Sequence, residues 1–325
     1  MMAPSSPAPR DLAQSSSLEE LYGLLKPMHV GPGWHKPTPS LWDEPRKTFV
    51  PAHWNYEQAR AALDAAGRLI NTELAERRNL ILFNPIPGND YATTRTLLAA
   101  YQMILPGERA RSHRHSPNAL RLVVEAEPGA YTIVDGVKLM MAPGDVLLTP
   151  NWSWHGHGNE ADAPAYWIDF LDTPLIHALE PMFFEPHPEI YEPVARIAEV
   201  SPMRFAWDDS MQRLEAASAD SDGAYGLHIE LGAPAMATIS LHMMRIEAGV
   251  VTAPHRTTAN AIYAVAKGAG VSMIDGETLQ WSRGDVIAAP AWRPHSHRAL
   301  KDSVLLRVSD EALLRKLDLL RTEVL

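Results

Sequence analysis

The chain has 325 residues, a net charge of −10 with a pI near 5.8, and no cysteine. The acidic balance argues against a nucleic-acid partner, which calls for a basic face, and the absence of cysteine excludes disulfides and fits a reducing cytoplasm. No apolar run approaches the roughly 18 residues of a membrane span. The first residues, "MMAPSSPAPRDLAQSSS", lack the apolar stretch of a signal peptide and read as a mobile tail of a soluble, cytoplasmic protein.

In chain order, "GPGWHKPTPSLWDEP" reads as an irregular arm. Between about Tyr56 and Arg78 a helix is predicted, because Ala61, Leu63, Leu69, Ile70 and Leu74 recur at near-helical spacing. "NLILF" then reads as a strand and "NPIPGNDY" as a loop. From Leu97 to about Leu171 short apolar and β-branched runs are punctuated by Gly, Pro and Asp, the rhythm of a β-sandwich or barrel. A helical stretch follows from about Pro174 to Ala217, and a second β rhythm from about Thr238 to Val308. "SDEALLRKLDLLRTEV" reads as a closing helix with Ser309 as its N-cap.

The two β regions repeat each other. "PGERARSHRHSPNALR" lies over "AGVVTAPHRTTANAIY", so His113 meets His255 and Asn118 meets Asn260. "PGDVLLTPNWSWHGH" lies over "RGDVIAAPAWRPHSH" without a gap, so His155 meets His295 and His157 meets His297. This is an internal duplication. It predicts a mainly β fold of two duplicated barrels with flanking helices. The expected boundaries are an N-terminal arm and helix over 1–84, a metal-binding barrel over 85–173, a helical linker over 174–237, and a metal-free second barrel with a C-terminal helix over 238–325.

His113 and His115 sit at i and i+2, the same face of a strand, and His155 closes a later β run. Isolated histidines are mostly satisfied core residues, but two His-x-His patterns at strand ends point to a metal. Neutral imidazoles favour Fe, Zn, Cu or Ni over Mg or Ca. Arg121 lies an even six residues beyond His115 and is expected to face inward, where its charge requires an anion. His157 shares the face of His155 and is the candidate for proton handling. In the second copy Thr257 stands where His115 does and Tyr263 where Arg121 does. That copy is expected to lack both a third imidazole and an anion partner.

Gly107 followed after five residues by His113-x-His115 resembles the first cupin motif. Gly144, five residues, Pro150, His155, three residues and Asn159 resemble the second, with Trp152 in place of a usual glycine. The glutamate ligand of many metal cupins would fall at Ala119 or Leu120, neither of which ligates. "MILPGERARSHRHSPNALRLVVE", "AERR" before "NLILF", and "TPNWSWHGHGNE" with "WIDFLDTPL" are similar to the ring-cleaving gentisate and salicylate 1,2-dioxygenases. The resemblance implies a bicupin of two double-stranded β-helix (jelly-roll) barrels with one Fe(II) per chain on His113, His115 and His155. It implies a small aromatic acid and O2 as substrates, ring opening between the carboxyl- and hydroxyl-bearing carbons, and a homotetramer. It places Arg121 on the substrate carboxylate, and His157, facing the same way as His155, is then expected to hydrogen-bond the phenolate or a bound oxygen species. It brings Arg77, chosen over Arg78, near the substrate together with Asn79, Leu98, Ala100 and Gln102. Relatives carry an aromatic residue and glycine where Leu98 and Ala100 stand, so the expected substrate is a 5-substituted salicylate such as 5-nitrosalicylate. Gentisate, 1-hydroxy-2-naphthoate, and a non-catalytic metal cupin that senses an aromatic acid are the alternatives. Asp169 and Asp172 are expected to be structural.

Overall fold

The computed structural model describes residues 7–36, 39–75, 77–232 and 236–325. Contacts divide the chain into two units, residues 1–46 and 47–325. In the first unit the Pro/Ser-rich start, expected as a tail, carries a short helix, Pro9–Ala13; residues 1–6 lie outside the described residues. A second helix, Leu18–Leu25, is capped by the Ser17 side chain, which accepts from the Glu20 amide.

The second unit contains both barrels. One sheet of the first barrel runs Arg204–Phe205, Val146–Thr149, Ala119–Glu125, Ala165–Leu171, Leu98–Ile104, Arg78–Ile81. The other runs Phe184–Pro186, Arg109–His115, His155–Asn159, Ala130–Val134, Val137–Met140, Arg196–Ile197. The second barrel repeats the order. Its first sheet is Ala52–Trp54, Val286–Ala289, Ala261–Lys267, Ser303–Ser309, Ser240–Ile246, Leu227–Glu230. Its second is Thr322–Val324, His255–Thr257, His295–Ala299, Ala269–Ile274, Glu277–Ser282.

The duplication reaches further than the motifs. Each barrel is preceded by a strand–helix–strand unit: Ala52–Trp54, Tyr56–Leu69, Arg78–Ile81, and Arg204–Phe205, Trp207–Glu215, Leu227–Glu230. In both units the first strand adds to the other barrel's sheet and the last to its own. Residues 174–237 are therefore not a plain helical linker. They carry four short strands among the described residues, each of two to four residues, too short to leave a two-residue periodicity in the sequence. The first long helix starts as predicted, with Asn55 accepting from the Gln58 amide at 3.0 Å. It stops at Leu69 rather than near Arg78, because Ile70 turns extended.

Two matching clasps tie the barrels together. Asp172 accepts from the Asn118 amide at 2.8 Å and from the hydroxyl of Thr238, just before the second barrel. Asp310 accepts from the Asn260 amide at 2.8 Å and from Thr96 Oγ1, just before the first barrel, at 2.6 Å. Between the clasps one apolar core spans both copies, with Leu120 and Ile168 from one and Ile262 and Leu306 from the other. At the C-terminus Ser309 ends a strand, and Asp310 takes the N-cap position of the helix Glu311–Lys316. Ser309 is thus not the cap.

Candidate metal centre

His113 and His115 end one strand and His155 begins its neighbour, with His113 directly opposite His155. The alternation in "HGHG" has a packing cause. A Cβ at Gly156 would stand 2.4 Å from Ser112 Oγ, and one at Gly158 2.3 Å from the Tyr131 hydroxyl. The outward face of this strand therefore accepts only glycine, while His155 and His157 fill the inward face. Trp152, at the usual glycine position, takes a left-handed φ of 63°. Its amide donates to the His115 carbonyl at 3.0 Å, and the Arg114 guanidinium lies 4.5 Å from its ring centroid. These contacts offset a backbone cost of order 1–2 kcal/mol. The second barrel repeats the device with Trp292, φ 60°, the Thr257 carbonyl and Arg256.

One ring nitrogen from each of His113, His115 and His155 lies within 4.8 Å of the other two. Each Nδ1 faces a backbone carbonyl: Arg111 at 3.3 Å, Pro117 at 2.9 Å and Ser153 at 2.9 Å. A carbonyl only accepts, so each Nδ1 carries the proton and each Nε2 presents a lone pair. Protonation is disfavoured as well. Burial, then Arg77 and His115, lower the His113 pKa to about 3, and burial drives His155 well below its ordinary value. Three neutral, oriented nitrogen donors are the chemistry a first-row transition metal takes.

Behind the triad an internal polar chain crosses the barrel. Arg121 is buried and lies opposite Asp169, with Nε 3.5 Å from Asp169 Oδ1. Its Nη1 donates to Thr132 Oγ1 at 2.9 Å and reaches the His157 ring. Gln102 donates to Asp169 and accepts from Arg77 Nε. Burial first, then Arg121, lower the His157 pKa well below its ordinary value, so His157 is neutral beside the guanidinium. The guanidinium of Arg121 is thus held inside the barrel between Asp169, Thr132 and the His157 ring.

The six-residue step to Arg121 is not a step along one strand, because His115 and Arg121 lie on different sheets. Arg121 faces the interior through its pairing with Asp169. Leu98, Ala100 and Gln102 share one strand face, on which Ala100 also lies opposite Asp169, and all three are buried. Arg77 lines a cavity of about 380 Å³ with His113, Arg111, Phe184, Leu74, Ala75 and Asn79. Arg78 points away, buried against Glu108. Asn79 is exposed at the cavity rim. Two further neighbours join the site. Asp169 belongs to the internal chain rather than to the frame alone, and its inward-facing acid in "WIDF" was the available signal. Phe184, whose ring centroid is 5.1 Å from that of His113, comes from a three-residue strand that gave no signal.

Two stretches, residues 100–171 and 242–308, match the cupin domain family. The chain is 33% identical to gentisate 1,2 dioxygenase 1 of Aquipseudomonas alcaligenes, over 94% of this chain and 96% of that one. The chain belongs to the gentisate and salicylate 1,2-dioxygenase family. It is 31% identical to a 5-aminosalicylate 1,2-dioxygenase of a Comamonas species, over 95% of this chain and 90% of the relative. The crystal structure of a salicylate 1,2-dioxygenase from Pseudaminobacter salicylatoxidans matches with a TM-score of 0.85 at 29% identity, covering 95% of this chain and 97% of the other. The dioxygenase described here is accordingly a ring-cleaving oxidoreductase of the salicylate and gentisate type, built on two cupin barrels, with a histidine triad fit for a metal. Among its described residues no helix is long and apolar enough to cross a membrane.

Proposed function

We propose that the protein opens a 2-hydroxybenzoate bearing a substituent at position 5, between the carboxyl- and hydroxyl-bearing carbons, with one Fe(II) on His113, His115 and His155. The observation that carries this is the convergence of three neutral imidazoles, one nitrogen of each within 4.8 Å of the others, beside a buried arginine. Fe(II) held there supplies the one-electron chemistry through which O2 reacts with an aromatic ring. Zn fits the same donors but has no redox chemistry.

The chain's own residues bind and orient. Arg121 and Arg77 draw the substrate carboxylate inward, and Asp169 with Gln102 fixes where the guanidinium of Arg121 points. His157, neutral and buried, hydrogen-bonds the phenolic oxygen and handles its proton. Leu98 and Ala100 bound the space beside the ring. Gentisate and 5-aminosalicylate, the substrates named for two relatives, both carry a polar group para to the phenol. With Leu98 in place of a larger aromatic side chain, a bulkier group such as the nitro of 5-nitrosalicylate is accommodated. A homotetramer with one iron per chain completes the proposal, checked by light scattering.

The deciding experiment is anaerobic Fe(II) loading, then ultraviolet monitoring under air with 5-nitrosalicylate, gentisate, 5-aminosalicylate, salicylate and 1-hydroxy-2-naphthoate. The 5-substituted acids should be consumed fastest. Preference for unsubstituted salicylate or the naphthoate overturns the substrate assignment. Binding of all five without oxygen uptake overturns the catalytic role of this chain.

A further inference from the structure

The second barrel does contain a buried cation, contrary to the expectation drawn from Tyr263. Tyr263 lies opposite Arg307, as Arg121 lies opposite Asp169 in the first barrel. The arginine has moved to the neighbouring strand. Arg307 is 2% exposed, sits 4.7 Å from the centroid of the Tyr225 ring, and donates to the carboxylate of Glu311. Glu311 is 5% exposed and follows the clasp residue Asp310. The residue following the matching clasp residue Asp172 is Thr173, which carries no charge. The second barrel has thus gained a cation and a carboxylate together.

More polar capacity surrounds this pair than the pair uses. Arg307 Nε, His255 Nε2 and His297 Nε2 are buried without a hydrogen-bond partner among the described residues. Their rings and planes adjoin: His255 is 4.7 Å from Tyr225, whose ring carries Arg307, and His297 is 4.3 Å from Tyr263. Unpartnered buried nitrogens are rare and costly, and a cluster of them marks a polar chamber. Arg315 reaches Glu311 at 3.6 Å and, with Ala312 and Lys316, lines a cavity of about 270 Å³ walled by Leu231, Met236 and Leu241. Burial pushes the Glu311 carboxyl up, and Arg307 more than reverses this, holding it at about 2.

We propose that the second barrel is a carboxylate-binding site that the chain fills itself, with Glu311 seated on Arg307 where a small external monocarboxylate would otherwise bind. A tethered carboxylate acts at an effective concentration no dissolved acid matches, so the intact protein takes no external acid there. Removing the Glu311 side chain leaves a vacated volume and an uncompensated buried guanidinium, a seat that acetate or formate can fill.

The test is thermal unfolding of the full chain in sodium acetate against sodium chloride at matched ionic strength. Aliphatic acids are used because the first barrel is the expected site for aromatic ones. Glu311→Ala should melt several degrees below wild type, and acetate should restore at least half of that loss, saturably. Wild type should show no acetate-specific shift, and Arg307→Met/Glu311→Ala should show none either. If Glu311→Ala is recovered only by refolding, refolding yield in acetate against chloride is read in the same way. Equal effects of acetate and chloride on Glu311→Ala, or an acetate response that persists without Arg307, overturn the proposal.

Discussion

The first and second barrels share strand order, clasps and even the left-handed tryptophan after the proline, yet the structure brings metal-ligand geometry to one of them alone among the described residues. Three inward positions make the difference. His115 becomes Thr257, Arg121 becomes Tyr263, and Asp169 becomes Arg307. In the first barrel the imidazoles turn their Nε2 atoms toward one another. In the second, the Tyr263 hydroxyl lies 3.1 Å from His295 Nε2 and engages that nitrogen, while the Thr257 hydroxyl accepts from the Ala259 amide. The backbone sets where a guest sits. Side chains facing one another across strands decide whether it is a metal with an aromatic acid or the chain's own glutamate.

The comparison breaks most completely at the triad. His113→Ala, His115→Ala or His155→Ala should leave metal content and turnover below detection, because two imidazoles hold a divalent ion too weakly. The matching His255→Ala should leave both unchanged. Metal analysis and oxygen uptake on the four variants check this, and a triad variant that keeps its metal and rate would remove that histidine from the centre. Next in size is His157→Ala, expected to keep the metal and lose about 10²–10⁴-fold in rate, the usual contribution of a proton-handling side chain. A metal-free His157→Ala would make His157 a ligand. Arg121→Leu should lower kcat/KM for the aromatic acid at least tenfold, about 1.5–3 kcal/mol for a charge-assisted pair, with metal content intact. Since Asp169 then loses its cation, Tm should fall too, and an unchanged kcat/KM would confine Arg121 to a structural pairing with Asp169.

Smaller effects sharpen the contrast. Leu98→Trp should shift the ratio of kcat/KM between 5-nitrosalicylate and gentisate by about tenfold toward gentisate, within the range a hydrophobic pocket discriminates. An unmoved ratio would take Leu98 out of the substrate's surroundings. Thr257→His should fail to load a second metal, since Tyr263 still engages His295; pairing it with Tyr263→Phe should improve loading. If the single change loads a full second equivalent, Tyr263 is not the obstacle.

Much of this was legible in the sequence because the duplication placed identical residue types in register. His113 over His255 and "HGH" over "HSH" announced two barrels, and the missing imidazole at Thr257 announced their inequality. What stayed hidden was cross-strand. Arg121 and Asp169 are 48 positions apart and meet only through sheet pairing, so the sequence pattern shows the arginine no partner. Arg307 gives no signal in the duplicated pattern, because the position matching Arg121 is Tyr263, one strand away. The strand–helix–strand units before each barrel were invisible as equivalents, because strands of two to four residues carry no period and their pairing crosses between barrels.

The most direct measurement is metal stoichiometry on Fe(II)-loaded protein, quantified per chain for wild type, His113→Ala and His255→Ala. One iron per chain in wild type, none in His113→Ala and one in His255→Ala are expected if the first barrel alone is the metal centre. Two irons per chain in wild type, falling to one in His255→Ala, would contradict it.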